Sequence, residues 1–438
     1  LEIHVMKKKF LAAAIGAMLV GGSAFAGLTD TVRVSGDGVG DLLVAPAYFI
    51  GGGMSSDLKV INTSQTDSVV AKVVFHHPTT SAEVLDFLIY LTPGDVWKAT
   101  VDCKTVGTDG NCAVSRVTSA DGSMQYDVLT YVDASGNALN GQTATDVPFA
   151  SATSPAVIES GNSVDGRSPL PNQGYVTIVE SRAAKVANPQ GKFAPGVLKT
   201  AVKANYDASV GVGPDETPNV LTGTVTANAG ALGSATLPML AVQNFDNSVK
   251  QVVATNTGLA SYHSVADLED ALWTNNYVVP YKVAADAISL VTFTFPTKLA
   301  YSNAVEGQYP FATSTARDAI GAGVVGGADV TVSATAFDNE ENTRIAMFNI
   351  SPLPQSSTVR VPEFGWLLIG NTNAHALNVG NYKEGWLNVV YTAPATAAAT
   401  QSNGNAAVNA TRSGAPGVVT VMNKQAGNFT WAYVAAAR

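Results

Sequence analysis

Val69–Val101 reads VVAKVVFHHPTTSAEVLDFLIYLTPGDVWKATV, and its punctuation decides the fold. In Val69–His77, Val69, Ala71, Val73 and Phe75 share one face, while Lys72 and His76 fall on the other. That is the period-two alternation of a half-buried strand. Pro78-Thr79-Thr80-Ser81 stops it, because proline has no N–H to give a ladder. Leu85, Phe87, Ile89 and Leu91 line one face of a second strand, with Asp86 on the other. Thr92-Pro93-Gly94-Asp95 puts proline and glycine where a type II turn needs them. Trp97, Ala99 and Val101 give the third strand its inner face. The three strands form a meander built as the wall of a core, and nothing in it is arranged for catalysis.

Outward from this stretch the same pattern recurs. Strands are expected at Thr31–Val34, Leu42–Ile50, Leu58–Asn62, Tyr126–Val132, Tyr175–Glu180, Leu221–Ala227 and Ala235–Phe245, then repeatedly from Ile288 to Val434. Glycine runs at Gly36–Gly40 and Gly51–Gly53 read as turns, since no helical pattern follows them. Helical signals are few. Ser264 with Asp267 resembles a capping box, with Val265, Leu268 and Leu272 on one face, and a second short helix fits Val197–Ala204. Residues 134–170 form a long polar excursion, and 393–416 are low in complexity. Many short strands with regular turn signals give a mostly-β chain of Ig-like or jelly-roll-like antiparallel β-sandwich domains with few short helices. The expected division is a β-sandwich domain over 27–185, a connecting region with strands and a short helix over 186–287, and a second β-rich domain over 288–438.

Composition narrows the function. Only 13% of the 438 residues are charged, about half the ordinary fraction, and small neutral residues fill the gap. A surface with so few charges has two readings: it is covered by neighbouring copies, or it belongs to a loop-rich secreted protein. The formal charge is −9, and no basic run or basic-aromatic patch exists, so nucleic acid is not an expected partner. Residues 1–26 read as upstream residues plus a Sec signal peptide: Lys7-Lys8-Lys9, an apolar Phe10–Val20, and Ala24-Phe25-Ala26 as the cleavage site. The mature chain is then expected to start at Gly27 and be exported, to the cell surface or beyond. Export makes a disulfide the default for the two cysteines, Cys103 and Cys112. In the loop-entropy model so short a staple is worth about 2.7 kcal/mol.

No constellation for nucleophilic, metal or carboxylate catalysis emerges, so the chain is read as no enzyme. His76 and His77 are adjacent on a strand and point to opposite faces, which prevents them from sharing one metal. The acidic turn Phe337-Asp338-Asn339-Glu340-Glu341-Asn342 is the candidate site: Asp338, Glu340 and Glu341 crowd hard oxygens at a strand end, which suits Ca²⁺. A solvated charged turn is the competing reading. No other cofactor is indicated.

VVAKVVFHHPTTSAEVLDFLIYLTPGDVW resembles a loosely defined group of exported bacterial cell-surface proteins. Other words of that group follow in order: LLVAPAY at Leu42–Tyr48, VINTS at Val60–Ser64, DGNC at Asp109–Cys112, GYVTIVE at Gly174–Glu180, LTGTV at Leu221–Val225, TFPTK at Thr294–Lys298 and FDNEE at Phe337–Glu341. The EVLDF…L.P.DVW word carries the specificity. The chain departs from the group where VVFHHP and PNQGYV hold neutral residues in place of charged ones. The resemblance implies a location outside the cell more than a job. The expected function is a non-catalytic structural protein that assembles with copies of itself as a surface layer or extracellular filament. Strand addition with Gly27–Val34 or Thr430–Ala437 as donor is the expected mechanism. The alternative is a secreted β-sandwich that binds carbohydrate or polymer, with a cell-envelope glycan as partner and some of the five tryptophans as platform; a secreted hydrolase stands behind both.

Overall fold

The turn at Thr92–Asp95 forms as its sequence requires: Asp95 N–H donates to the Thr92 carbonyl at 3.0 Å, and Gly94 takes φ 71°. Around it, the computed structural model describes residues 32–66, 68–76, 78, 83–108, 112–126, 143–149, 172–184, 219–229, 233–245, 268, 271–274, 276–284, 287–296, 330–350, 356–361, 364–370, 375–392, 415–425 and 428–435. The first strands are β1 (Arg33–Val34), β2 (Leu42–Phe49), β3 (Ser55–Asn62), β4 (Ser68–His76), β5 (Glu83–Leu91), β6 (Val96–Val106) and β7 (Cys112–Thr118). Next come β8 (Met124–Gln125), β9 (Asp146–Pro148), β10 (Gln173–Ala184), β11 (Leu221–Asn228), β12 (Ser234–Pro238) and β13 (Leu240–Gln243). The later chain gives β14 (Trp273–Thr274), β15 (Asn276–Lys282), β16 (Ala287–Thr294), β17 (Val330–Asp338), β18 (Thr343–Ile345), β19 (Met347–Ile350) and β20 (Thr358–Val361). It ends with β21 (Phe364–Ile369), β22 (His375–Asn378), β23 (Glu384–Thr392), β24 (Ala415–Pro416), β25 (Val418–Gln425) and β26 (Asn428–Ala435).

All of these strands but β14 and β24, which pair with each other in a two-stranded sheet, make two β-sandwiches. The first pairs a seven-stranded sheet, β1-β13-β2-β10-β4-β5-β8, with a six-stranded sheet, β12-β11-β3-β6-β7-β9. The second pairs a five-stranded sheet, in which β17 lies between β23 on one side and β18 and β20 on the other, with a six-stranded sheet, β19-β22-β21-β16-β25-β26. Among the described pairings all are antiparallel except β21 with β22. The first core holds Phe75, Phe87, Trp97, Tyr48 and Phe149 between its sheets, with Trp97 fully buried beside Phe87. The second holds Tyr277, Tyr281, Phe293, Phe295 and Tyr391.

Several expectations change. Val69–His76 is not half-buried: β4 is buried along its whole length, with Lys72 1% and His76 0% exposed. The outer face of this sheet is covered too, in part by Phe245, Leu268, Leu272 and Val418, which pack on Leu42, Val44, Val179 and Val242. Ala235–Phe245 is two strands rather than one. β12 lies in the six-stranded sheet and β13 in the seven-stranded sheet, so the chain crosses between layers at Met239, whose N–H donates to the Gly223 carbonyl. The region 186–287 contributes β11 to β13 to the first sandwich and β15 to the second. Met124–Gln125 is a short strand; of the strand expected at Tyr126–Val132, residues 127–132 lie outside the described residues. The excursion 134–170 contains β9, which adds to the six-stranded sheet. Leu268, Ala271 and Leu272 have helical backbone, while Ser264, Val265, Asp267 and the segment Val197–Ala204 lie outside the described residues.

The two sandwiches are joined through breaks in the first one's ladders. Pro46 sits inside β2, where a proline is tolerated only at an edge or a bulge. The register between β2 and β10 shifts there, and the Pro46 carbonyl accepts a hydrogen bond from the Thr294 hydroxyl at 2.6 Å. The Pro78 carbonyl likewise accepts from the Phe364 N–H at 2.8 Å. Phe364 meets Phe49 edge-on, and Trp366 Nε1 donates to Gln173 Oε1 at 2.8 Å.

Candidate functional site

The acidic turn joins β17 to β18. Asp338 Oδ1 accepts from the Glu340 and Asn342 backbone N–H groups, both at 2.9 Å, and Oδ2 accepts from Asn342 Nδ2 at 2.9 Å. The Glu341 N–H closes the turn onto the Asp338 carbonyl, and Glu341 itself adopts φ 64°. These hydrogen bonds, the Asn342 side chain first, hold the Asp338 carboxyl below the usual carboxylate range. Both Asp338 oxygens are therefore occupied by the turn they organise. Glu340 and Glu341 are exposed, and among the described residues no three His, Cys, Asp or Glu side chains gather to hold a metal. The local hydrogen bonding explains the acid at position 338 without a calcium ion.

The histidine reading is met at His76. Its Nε2 lies 2.7 Å from the Thr177 hydroxyl, and its ring stacks on Tyr175 at 4.5 Å. His77 and His263 lie outside the described residues. On the same buried face, Lys72 Nζ lies 2.6 Å from Asp86 Oδ2, an ion pair sealed inside the protein. The two cysteines are bonded, Cys103 to Cys112, across the β6–β7 hairpin, with Cα atoms 5.6 Å apart.

Sequence reasoning missed the outer face of the first six-stranded sheet. Asp57 and Lys59 from β3, Lys98 and Thr100 from β6, Thr118 from β7, and Thr224 and Thr226 from β11 line a cleft of about 920 Å³. The register places Lys59 directly opposite Lys98 and Asp57 opposite Thr100. Asp57 is committed elsewhere, accepting from Thr100 Oγ1 and Asn228 Nδ2 at 2.7 Å each. Farther along the same face charges are matched: Arg116 meets Asp102 at 2.8 Å and Asp146 at 3.3 Å, and Lys104 meets Asp146 at 3.2 Å. Lys59 and Lys98 have no ion pair or hydrogen bond among the described residues. Each lysine occupies the outward position of an alternating strand and reads as an ordinary solvent-facing residue. Only the pairing of strands far apart in sequence brings them together.

A second surface lies on the outer face of the five-stranded sheet. Phe337 and Trp386 oppose each other across β17 and β23 and stack in parallel, rings 4.0 Å apart. Pro280 continues the row on β15, and Ile345 on β18 stands next to it, 62% exposed.

Comparison of the chain with known proteins found no matching family model, no matching curated protein and no matching solved structure.

Proposed function

We propose that this chain is an exported, non-catalytic structural subunit that assembles with copies of itself at the cell surface, as a layer or an extracellular filament. The observation that carries this reading is the outer face of the five-stranded sheet. Its positions on β15, β23 and β17 are Asn276, Val278, Pro280 and Lys282; Glu384, Trp386, Asn388, Val390 and Thr392; and Thr331, Ser333, Thr335 and Phe337. On these three strands the only charges, Lys282 and Glu384, lie opposite each other at one end, 3.9 Å apart, and on the flanking β20 Arg360 pairs with Thr331, so the centre of the face is uncharged. A broad face that is neutral and half-exposed resembles the composition of an interface core, from which charges are depleted. The resemblance to exported cell-surface proteins points the same way.

The donor-strand mechanism needs revision. β26, which covers residues 430–435 of the expected donor Thr430–Ala437, pairs with β25 of its own chain, and Arg33–Val34 pairs with β13; residues 27–31 and 436–437 lie outside the described residues. Assembly in this reading proceeds face to face rather than by lending either terminal strand. Negative-stain microscopy and light scattering of the purified protein test it. Sheets or fibres are expected at high concentration, and a protein that stays monomeric throughout removes the reading.

One observation favours the second reading, a carbohydrate- or polymer-binding β-sandwich. The stacked Phe337–Trp386 pair is half-exposed on a sheet face, where aromatic rings offer apolar contact to a sugar. Trp97, by contrast, is buried in the core and unavailable. Glycan binding by the monomer that disappears in Trp386→Ala would select this reading over assembly.

A further inference from the structure

Like charges directly opposite across a ladder repel, so an unmatched Lys59–Lys98 pair stands out in a chain with 34 acidic and 25 basic residues. Its neighbours on the same face, Lys104 and Arg116, are matched by Asp102 and Asp146. The one carboxylate in the cleft, Asp57, is held by Thr100 and Asn228. The cleft is therefore prepared for negative charge from outside the fold.

We propose that this cleft receives the acidic β17–β18 turn of a second copy of the chain, with Glu340 and Glu341 meeting Lys59 and Lys98. The inference rests on the self-assembly reading and names one contact within it. The turn suits the role. Glu340 and Glu341 are exposed, and among the described residues their carboxylates have no partner. The three hydrogen bonds to Asp338 fix the backbone that carries them, so presenting the tip costs little ordering entropy. The Thr100 and Thr118 hydroxyls already donate within the sheet, to Asp57 and to the Thr100 carbonyl, which leaves those of Thr224 and Thr226 on the cleft wall to donate to carboxylate or backbone oxygens. The cleft is open along the sheet face, so a protruding turn can reach both lysines from outside.

Cleft and tip lie on different sandwiches of one chain, so the contact joins two different patches. Such a heterologous contact repeats head to tail, giving a filament when the rotation does not close and a ring when it does. Because both partners are solvent-facing charges, the contact weakens with salt.

Charge reversal tests this, with assembly read by light scattering and negative stain. Lys59→Glu/Lys98→Glu and Glu340→Lys/Glu341→Lys are each expected to melt like the unaltered protein and to lose assembly alone. An equimolar mixture is expected to recover it, since each altered cleft then meets an altered tip and each native cleft a native tip. Salt near 1 M, where the screening length is about 3 Å, should reduce assembly of the unaltered protein. Variants that assemble normally, or a mixture that stays dispersed while both variants are folded, would overturn this contact and leave the assembly reading standing. An unaltered protein that never assembles overturns both. If polygalacturonate binds the unaltered monomer, and Lys59→Glu/Lys98→Glu abolishes that binding without changing assembly, the cleft belongs to an acidic glycan and the proposal fails.

Discussion

The seven-stranded sheet of the first sandwich and the five-stranded sheet of the second use the same alternation to opposite ends. In β17, VTVSATAFD, apolar residues point inward and Thr331, Ser333 and Thr335 point out, giving a strand buried on one face. In β4, SVVAKVVFH, the outward positions are Val70, Lys72, Val74 and His76, and all are buried. The difference was present in the residues themselves. Valine on both faces marks a strand covered on both sides, and the outward Lys72 and His76 disguised it. Covering that face requires its polar groups to be satisfied internally, as Lys72 is by Asp86 and His76 by Thr177. Among the described residues, the outer face of β15, β23 and β17 carries no such buried charge, so that part of the sheet can be covered by a neighbour at little desolvation cost.

The sharpest way to break this comparison is at the buried pair. Asp86→Ala removes the carboxylate 2.6 Å from the buried Lys72 ammonium and is expected to cost about 3–5 kcal/mol in denaturant unfolding. Lys72→Met/Asp86→Leu should recover most of that loss. A cost for Asp86→Ala near that of an exposed pair, under about 1 kcal/mol, would mean the outer face is open. The tryptophans give a second contrast. Trp97→Ala should cost about 3–5 kcal/mol as a core truncation. Trp386→Ala, which removes a half-exposed stack on Phe337, should cost nearer 0.5–1.5 kcal/mol. Equal losses would place both rings in equivalent cores. On the neutral face, Thr335→Lys should change stability by no more than about 0.5 kcal/mol yet reduce assembly in light scattering. Unchanged assembly would show that this face is not an interface.

The smallest effect is expected at Asp338. Its folded pKa is depressed, chiefly by Asn342, so its contribution is complete above the ordinary carboxylate range and fades as pH falls through its lowered folded value. Asp338→Asn should flatten that acid limb of the melting profile. An unchanged profile would mean that the turn's hydrogen bonds do not depend on the charge.

Much of the fold was legible. The type II turn at Thr92–Asp95, the inward Trp97 and the Cys103–Cys112 staple each follow from local chemistry that a short window of residues contains. What was not legible depends on partners distant in the chain. β13 pairs with β1 and β2, and β11 with β3, which a left-to-right reading assigned to separate regions. Met239 illustrates a local signal too small to weigh in advance. A Cβ added at Gly223 would lie 2.6 Å from Met239 Sδ and 2.7 Å from the Lys59 carbonyl, so that glycine gives β12 and β13 room to leave one sheet for the other. The Lys59–Lys98 cleft was invisible for the same reason: neither lysine is unusual until the register is known.

Pro78 reads in the sequence as the place where a strand stops, and Pro46 lies inside the strand Leu42–Phe49. In the folded chain their carbonyls are where the second sandwich takes hold, through Thr294 and Phe364. This imposes an order in time on a chain that emerges N-terminus first. The first sandwich can acquire its last strand at Gln243 while both carbonyls still face water, and it is completed only when residues 294 and 364 arrive. At synthesis rates of about 5–20 residues per second the interval is on the order of ten seconds. During that window the first half is exposed along the seam it will later hide.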